Sequence, residues 1–322
     1  MIGYYVHHHG RGHLTRCRAV MPHLPTTTVL SSLPPEPWAP WLHLPLDADG
    51  VEVGEADGAR DLTAGGTLHW APRRHPGLRR RIAALARWVE ENDPAAVVVD
   101  VSVEVATFLR AMGVPVVLVA LPGRRDDPPH ELGHRVATRI LATWPAELYQ
   151  PEHLRPYRHK VVHTGAVSRF DGRPRDTNGR AGDRPRVLFL GGAGGTSLPA
   201  DGPRLPGWDV VTVGGGHAWL DDPWPELLAA DVVVSHAGQG AVADIAAAGR
   251  PAVVVPEARP FDEQQATADV LASAGLVVAA TSWKDVGPAQ LETAMALHPD
   301  WGRWRTAGAA GRVAAAVRGV AR

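Results

Sequence analysis

Only one of the 322 residues is a cysteine, Cys17. An internal disulfide and a cysteine-built metal cluster are therefore both excluded. Lysine is almost as scarce, with Lys160 and Lys284 among 33 basic residues. No glycine-rich loop is followed by Lys-Ser or Lys-Thr, which argues against a phosphate-loop NTPase. An excess of either charge is also missing: 33 basic residues face 34 acidic ones, for a net charge of −1. Nothing global then attracts nucleic acid or an acidic membrane surface, and no nucleic-acid partner is expected. No uncharged apolar stretch reaches ~18 residues, so a membrane-spanning helix is not expected. The apolar opening at 1–6 is too short for a signal peptide, and a soluble cytoplasmic chain is the expectation. What is present is ordinary for a globular protein, 45% hydrophobic and 21% charged. At roughly 150 residues per domain, the length suggests two domains.

Short apolar runs alternate with helical spacing. The run 2–6 breaks into a glycine- and histidine-rich turn at 7–13, and a helix follows from 14 to about 24. Residues 26–33 read as a second strand, while 34–75, rich in Pro, Trp and His, resists assignment. Leu78, Ile82, Leu85 and Val89 fall at helical spacing and place a helix at 76–91. A β-branched run at 95–99 ends at Asp100. Helix 102–112 and strand 114–121 follow. Residues 171–184 hold no large apolar residue and read as a linker. Beyond it the rhythm restarts with strands at 187–190, 209–213, 231–234, 252–255 and 277–279 and helices at 241–248, 264–274 and near 302–321. Continuous apolar strands alternating with helices imply parallel sheets covered on both faces. The expected fold is α/β, with a first Rossmann-like domain at 1–170, the linker at 171–184 and a second at 185–322. The final helix is allowed to pack back on the first domain. Ligands are expected in the cleft, at the carboxyl ends of the strands.

Three glycine-rich loops sit at strand-to-helix turns, at 7–13, 191–197 and 235–240. Glycine admits close approach of a ligand, and the free amides of the following helix favour an anion such as a phosphate. Any one of them also serves as a plain tight turn. None carries the dinucleotide G-x-G-x-x-G pattern.

The stretch 229–276, AADVVVSHAGQGAVADIAAAGRPAVVVPEARPFDEQQATADVLASAGL, resembles the donor-binding half of family 28 glycosyltransferases of GT-B architecture. HGRGHLTR at the opening, TGAVSRF at 164–170 and LGGAGGTS at 190–197 match in the same order. The resemblance implies inverting, metal-independent transfer of a hexose or N-acetylhexosamine from a nucleotide diphosphate sugar, UDP-linked, to a hydroxyl acceptor, with no cofactor. It implies that the loop with Gly192, Gly194 and Gly195, together with Gly238, Gln239 and Gly240, holds the diphosphate. Asp244 stands where the family binds the ribose hydroxyls through a Glu. Gln264 and Gln265, within Asp262-Glu263-Gln264-Gln265, match residues that meet the donor sugar; capping of a helix by Asp262 with exposed glutamines is the plainer alternative. Arg169 matches an arginine near the diphosphate, and His236 is placed to donate to a phosphate or stack near the base. Ala193 and Gly194 replace a family Ser and Gln, so a hydroxyl contact must come from Thr196 or Ser197.

Inverting transfer needs a base for the acceptor hydroxyl. His13 ends the first loop, matches the family's loop histidine, and an imidazole with an ordinary pKa of about 6.5 suits the task. Asp100 is the alternative base or an orienting partner, with an N-cap for the next helix as its plainer role; Glu104 could share its face. Thirteen of the 16 histidines lie before residue 166, but His7, His8 and His9 alternate in direction on a strand end and no metal site is expected. Six arginines and no acid occupy 62–89. They read as an amphipathic surface helix, with peripheral membrane contact through 73–88 as the other reading. Trp38, Trp41 and Trp70 are candidates for the acceptor pocket, with core filling as their plainer role. Other function classes kept open are a non-catalytic sugar-nucleotide-binding subunit and a UDP-sugar 2-epimerase.

Overall fold

The computed structural model describes residues 1–9, 11–47, 61–175, 183–192, 196–199 and 203–321. The first sheet is built from β1 (Ile2–Val6), β2 (Thr27–Ser31), β3 (Trp41–His43), β4 (Ala96–Asp100), β5 (Val116–Ala120), β6 (Arg139–Ala142) and β7 (Val161–His163). Its spatial order is β3-β2-β1-β4-β5-β6-β7, and every neighbouring pair is parallel. The second sheet contains β8 (Arg186–Leu190), β9 (Asp209–Val213), β10 (Val232–His236), β11 (Ala252–Val255) and β12 (Val278–Ala279), in the order β12-β11-β10-β8-β9. Both sheets reverse winding direction once, between β1 and β4 and between β8 and β10. Such switch points open a crevice at the carboxyl ends of the strands.

Burial on both faces explains the continuous apolar strands. Every residue of β4 is buried. Tyr4 and Val98 pack on one face of the first sheet, while Tyr5, Val97 and Val99 pack on the other. The described helices are α1 (Gly12–Val20), α2 (Pro76–Asn92), α3 (Val103–Ala111), α4 (Pro128–Val136), α5 (Trp224–Ala229), α6 (Gln239–Ala248), α7 (Glu263–Ser273), α8 (Pro288–Ala296) and α9 (Ala309–Arg318). None is long and apolar enough to cross a membrane. Cys17 and Val20 of α1 and Val313 and Val317 of α9 share one core with Ile2 and Val98. Arg318 of α9 also donates to the carbonyl of His23 at 2.7 Å. The last helix thus closes the first domain.

Several local expectations need correction. The helix at α3 is capped by Ser102, whose hydroxyl accepts from the Val105 amide at 3.2 Å, and not by Asp100. Asp262 makes no side-chain cap on α7; its left-handed backbone carries it out of capping geometry. Arg81 is not part of the exposed basic face of α2. It is fully buried, donating to Tyr5 Oη at 2.7 Å and to the Pro45 carbonyl at 2.7 Å. Arg79, Arg80 and Arg87 are exposed. Trp38 and Trp41 meet edge-to-face at 5.9 Å against the core beside β2, away from the cleft.

Candidate active site

The switch point of the first sheet carries a compact polar cluster. Register pairs Val6 with Asp100, so the glycine-histidine turn after β1 and the acid ending β4 emerge side by side. Val101 follows with φ +53°, a conformation costly for a β-branched residue, and this sharp turn sits at the edge of a cavity. Asp100 is completely buried. Its Oδ1 accepts from His13 Nδ1 at 2.9 Å and from Arg16 Nη1 at 2.8 Å, and its Oδ2 accepts from Tyr4 Oη at 3.4 Å. Burial opposes the charge, but the Arg16 guanidinium and the imidazole of His13 outweigh it and hold the carboxyl below the usual range. A carboxylate has no proton to give, so His13 donates through Nδ1 and keeps Nε2 as its basic nitrogen.

Arg16 extends this cluster across the cleft. Its Nη2 donates to Gln239 Oε1 at 2.8 Å, and Gln239 Nε2 donates to Thr143 Oγ1 at 3.2 Å. Gln239 is the first residue of α6; its side chain is held by Arg16 and Thr143, and its backbone N–H faces no intrahelical acceptor. Arg16 was not singled out from the sequence. Its signal was the three-residue spacing from His13, which puts both on one face of α1.

The second switch point is glycine-lined. His236 ends β10, and its Nδ1 accepts from the Gly238 amide at 3.0 Å. A Cβ at Gly192 or at Gly238 would overlap the imidazole, so both glycines are required by the ring between them. Packing around the ring, and then Arg259, push His236 down to about 4, which keeps it neutral. Gly238 precedes α6, whose first turn offers free amides; Gly240 lies within that turn. Gly10, Gly194 and Gly195 lie outside the described residues.

Thr196 and Ser197 both turn to Glu257, which sequence reasoning missed. Glu257 accepts from Thr196 Oγ1 at 2.8 Å, from the Ser197 amide at 2.8 Å, from Ser197 Oγ at 2.9 Å and from Trp283 Nε1 at 3.0 Å. It lies two residues beyond β11, past Pro256, so an acid near the end of an apolar run was the available signal. The Glu257 amide donates to Gln264 Oε1 at 2.9 Å, and Gln264 is buried. Gln265 is exposed and donates to Asp269 at 2.8 Å. Glu263 bridges the domains, accepting from Arg125 Nη2 at 3.1 Å.

Arg169 and Asp244 are brought together as a pair. Arg169 Nε donates to Asp244 Oδ2 at 2.9 Å, and Ser168 Oγ donates to Oδ1 at 2.8 Å. Asp244 is 4% exposed, and burial raises its carboxyl above the usual range despite Arg169. Glu104 does not join Asp100; its Oε1 accepts the amides of His69 and Trp70 at 2.8 and 3.0 Å.

Beside the His13–Asp100 cluster lies a cavity of about 470 Å³, whose lining includes His13 and Val101 from the first domain and Phe261 and Glu263 from the second. The Phe261 carbonyl accepts from the Arg124 amide at 2.7 Å. Gly123 approaches the same carbonyl so closely that no Cβ would fit. Among the described residues, His69, Asp127 and His130 hold three potential metal-ligand atoms within 4.8 Å of one another. Arg125 Nη1 donates to His130 Nε2 at 2.9 Å, and Asp127 accepts from Nδ1 at 2.8 Å. Both nitrogens of His130 are thus engaged, whereas His69 Nε2 has no hydrogen-bond partner among the described residues.

Residues 220–297 match the glycosyltransferase family 28 C-terminal domain. The second domain therefore carries a segment similar to the family 28 donor-binding domain. It is 31% identical over 241 residues to the UDP-N-acetylglucosamine--N-acetylmuramyl-(pentapeptide) pyrophosphoryl-undecaprenol N-acetylglucosamine transferase of Clavibacter sepedonicus, a match covering 63% of each chain. The enzyme of the same name from Rubrobacter xylanophilus is 30% identical over 131 residues, 33% of this chain and 39% of the relative. The matches thus span less than two thirds of these curated relatives. Among solved structures, Acinetobacter baumannii MurG superposes with a TM-score of 0.63 at 17% identity, covering 99% of both chains. The glycosyltransferase SnogD from Streptomyces nogalater gives 0.63 at 18% identity, covering 100% of this chain and 99% of that one. The spinosyn rhamnosyltransferase SpnG complexed with thymidine diphosphate gives 0.55 at 19% identity, over 100% and 95% of the two chains. These likenesses show the GT-B fold across both domains.

Proposed function

We propose that the chain is an inverting, metal-independent glycosyltransferase that moves a hexose or N-acetylhexosamine from a nucleotide diphosphate sugar, UDP-linked, to a hydroxyl acceptor. The observation that carries this reading is the His13–Asp100 pair at the edge of a cavity shared by both domains. In the reaction, the acceptor hydroxyl gives its proton to His13 Nε2 as its oxygen bonds to the anomeric carbon. The bond from that carbon to the diphosphate oxygen breaks, and its electron pair leaves with the nucleotide. Asp100 fixes the tautomer and offsets the charge that develops on the imidazole. The free amides at the start of α6 and the glycines flanking His236 would receive the diphosphate. Asp244 would reach the ribose by releasing Ser168 or Arg169, and Arg169 would then be free to face the leaving group. Gln264 and Gln265 would meet the sugar. Domain closure would keep water from the donor.

A thermal-shift panel of UDP, TDP, GDP and their sugars tests the donor assignment, with selective stabilisation by UDP-sugars expected. His13→Ala should then lower turnover by about 10²–10⁴ while donor affinity is retained. Full turnover in that variant would refute the base assignment. Product formed from donor alone, without acceptor, would instead favour an epimerase.

A further inference from the structure

We propose that the cavity beside His13 receives a neutral aromatic acceptor bearing a phenolic hydroxyl. This rests on the transferase reading above and specifies its second substrate. The size comes first: about 470 Å³ falls within the range of pockets that enclose drug-sized ligands. Its floor is apolar, formed by Val101, Leu118, Ala120 and Leu121, and Trp70 and Phe261 contribute aromatic walls from opposite domains. Aromatic rings pack edge-on or offset against such walls. His130 already meets Phe261 in this way, with ring centroids 4.7 Å apart.

Charge is the second argument. The lining holds two arginines and two glutamates, and each is already engaged. Arg125 donates to Glu263 and His130, and Arg259 donates to the Ala258 carbonyl. Glu104 is occupied by the amides of His69 and Trp70. Burial pushes His7 and His134 down to about 3 and His130 to about 4, so these rings are neutral near pH 7. A pyrophosphate-bearing acceptor would compete with Glu263 for Arg125; a neutral ring system would not.

The third argument is the base itself. A phenol with a pKa of about 10, as in tyrosine, lies within a few units of an imidazole, so proton transfer to His13 as the bond forms is far less uphill than from an alkyl alcohol.

The test uses the intact chain without donor. Binding of 2-naphthol and of 4-phenylphenol, both neutral near pH 7, is followed by calorimetry beside farnesyl diphosphate as an anionic isoprenoid. The phenols are expected to bind and farnesyl diphosphate to fail at tenfold higher concentration, a gap of at least ~1.4 kcal/mol. Trp70→Ala should weaken phenol binding about three- to tenfold, while the thermal shift given by UDP-sugars stays unchanged. Stronger binding of farnesyl diphosphate than of either phenol would overturn the proposal, as would phenol affinity unaltered in Trp70→Ala. If no nucleotide sugar shifts the melting temperature, the transferase reading fails, and the phenol measurement still decides the chemistry of the cavity.

Discussion

Asp100→Asn separates the two duties of one buried carboxylate. The wild-type Oδ1 takes the His13 and Arg16 donors at 2.9 and 2.8 Å, so a single negative charge balances a fixed cation and a prospective one. The amide keeps the shape and loses the charge. Arg16, itself only 9% exposed, is then a buried cation without an anion, and breaking such a pair costs about 3–5 kcal/mol. The imidazole also loses the group that stabilises its protonated form, so turnover at saturating substrates should fall by about 10²–10⁴. Adding Arg16→Met removes the orphaned cation. The double variant should regain most of the stability in urea unfolding, yet remain as slow as Asp100→Asn. Stability and turnover recovering together would refute the division of labour. So would Asp100→Asn retaining turnover to within about threefold.

Three further outcomes follow from the same geometry. Gly238→Ala would force its Cβ into the His236 ring; it should cost about 1–3 kcal/mol and abolish the nucleotide-induced thermal shift, whereas an unchanged shift would remove this turn from the donor site. Asp244→Ala leaves Ser168 and Arg169 without their acceptor, and should weaken nucleotide binding; unaltered affinity by calorimetry would exclude a ribose contact. His130, His134 and His236 are held neutral down to about 4, about 3 and about 4, whereas the unfolded chain takes up these protons near pH 6.5. Their folded pKa values are depressed, so their contribution is complete above about pH 6.5 and is lost as pH falls towards 4. The urea midpoint should drop across that window, and a flat profile would contradict the burial argument.

β1, β2, β4, β5 and the strands of the second sheet were legible because they are nearly unbroken apolar runs, whereas β6 and β7, four and three residues long, were not; the site was legible where such a run ends in a lone acid. Asp100 after 95–99 is the clear instance. The helix α4 was not, because it begins Pro128-Pro129 and shows little apolar periodicity; its start is fixed by Asp127, whose side chain accepts from the His130 amide. β3 escaped notice as a three-residue edge strand in a stretch dominated by Pro and Trp. Sequence spacing also could not show that Asp244 would spend its oxygens on Ser168 and Arg169, since that contact joins residues 75 or more positions apart. The second wall of the cavity depends on Phe261 and Asp262, at φ +64° and +55°. Asp tolerates a left-handed conformation but Phe does not advertise one; tertiary contacts with Gly123 and Arg124 hold it.

The packing of α9 against α1 bears on how the chain matures during translation. Val20 leaves the ribosome almost 290 residues ahead of Ala309. At about 5–20 residues per second, the greasy side of the early half waits roughly fifteen to sixty seconds for its lid. A nascent chain stalled in that interval presents the surface a holdase chaperone captures.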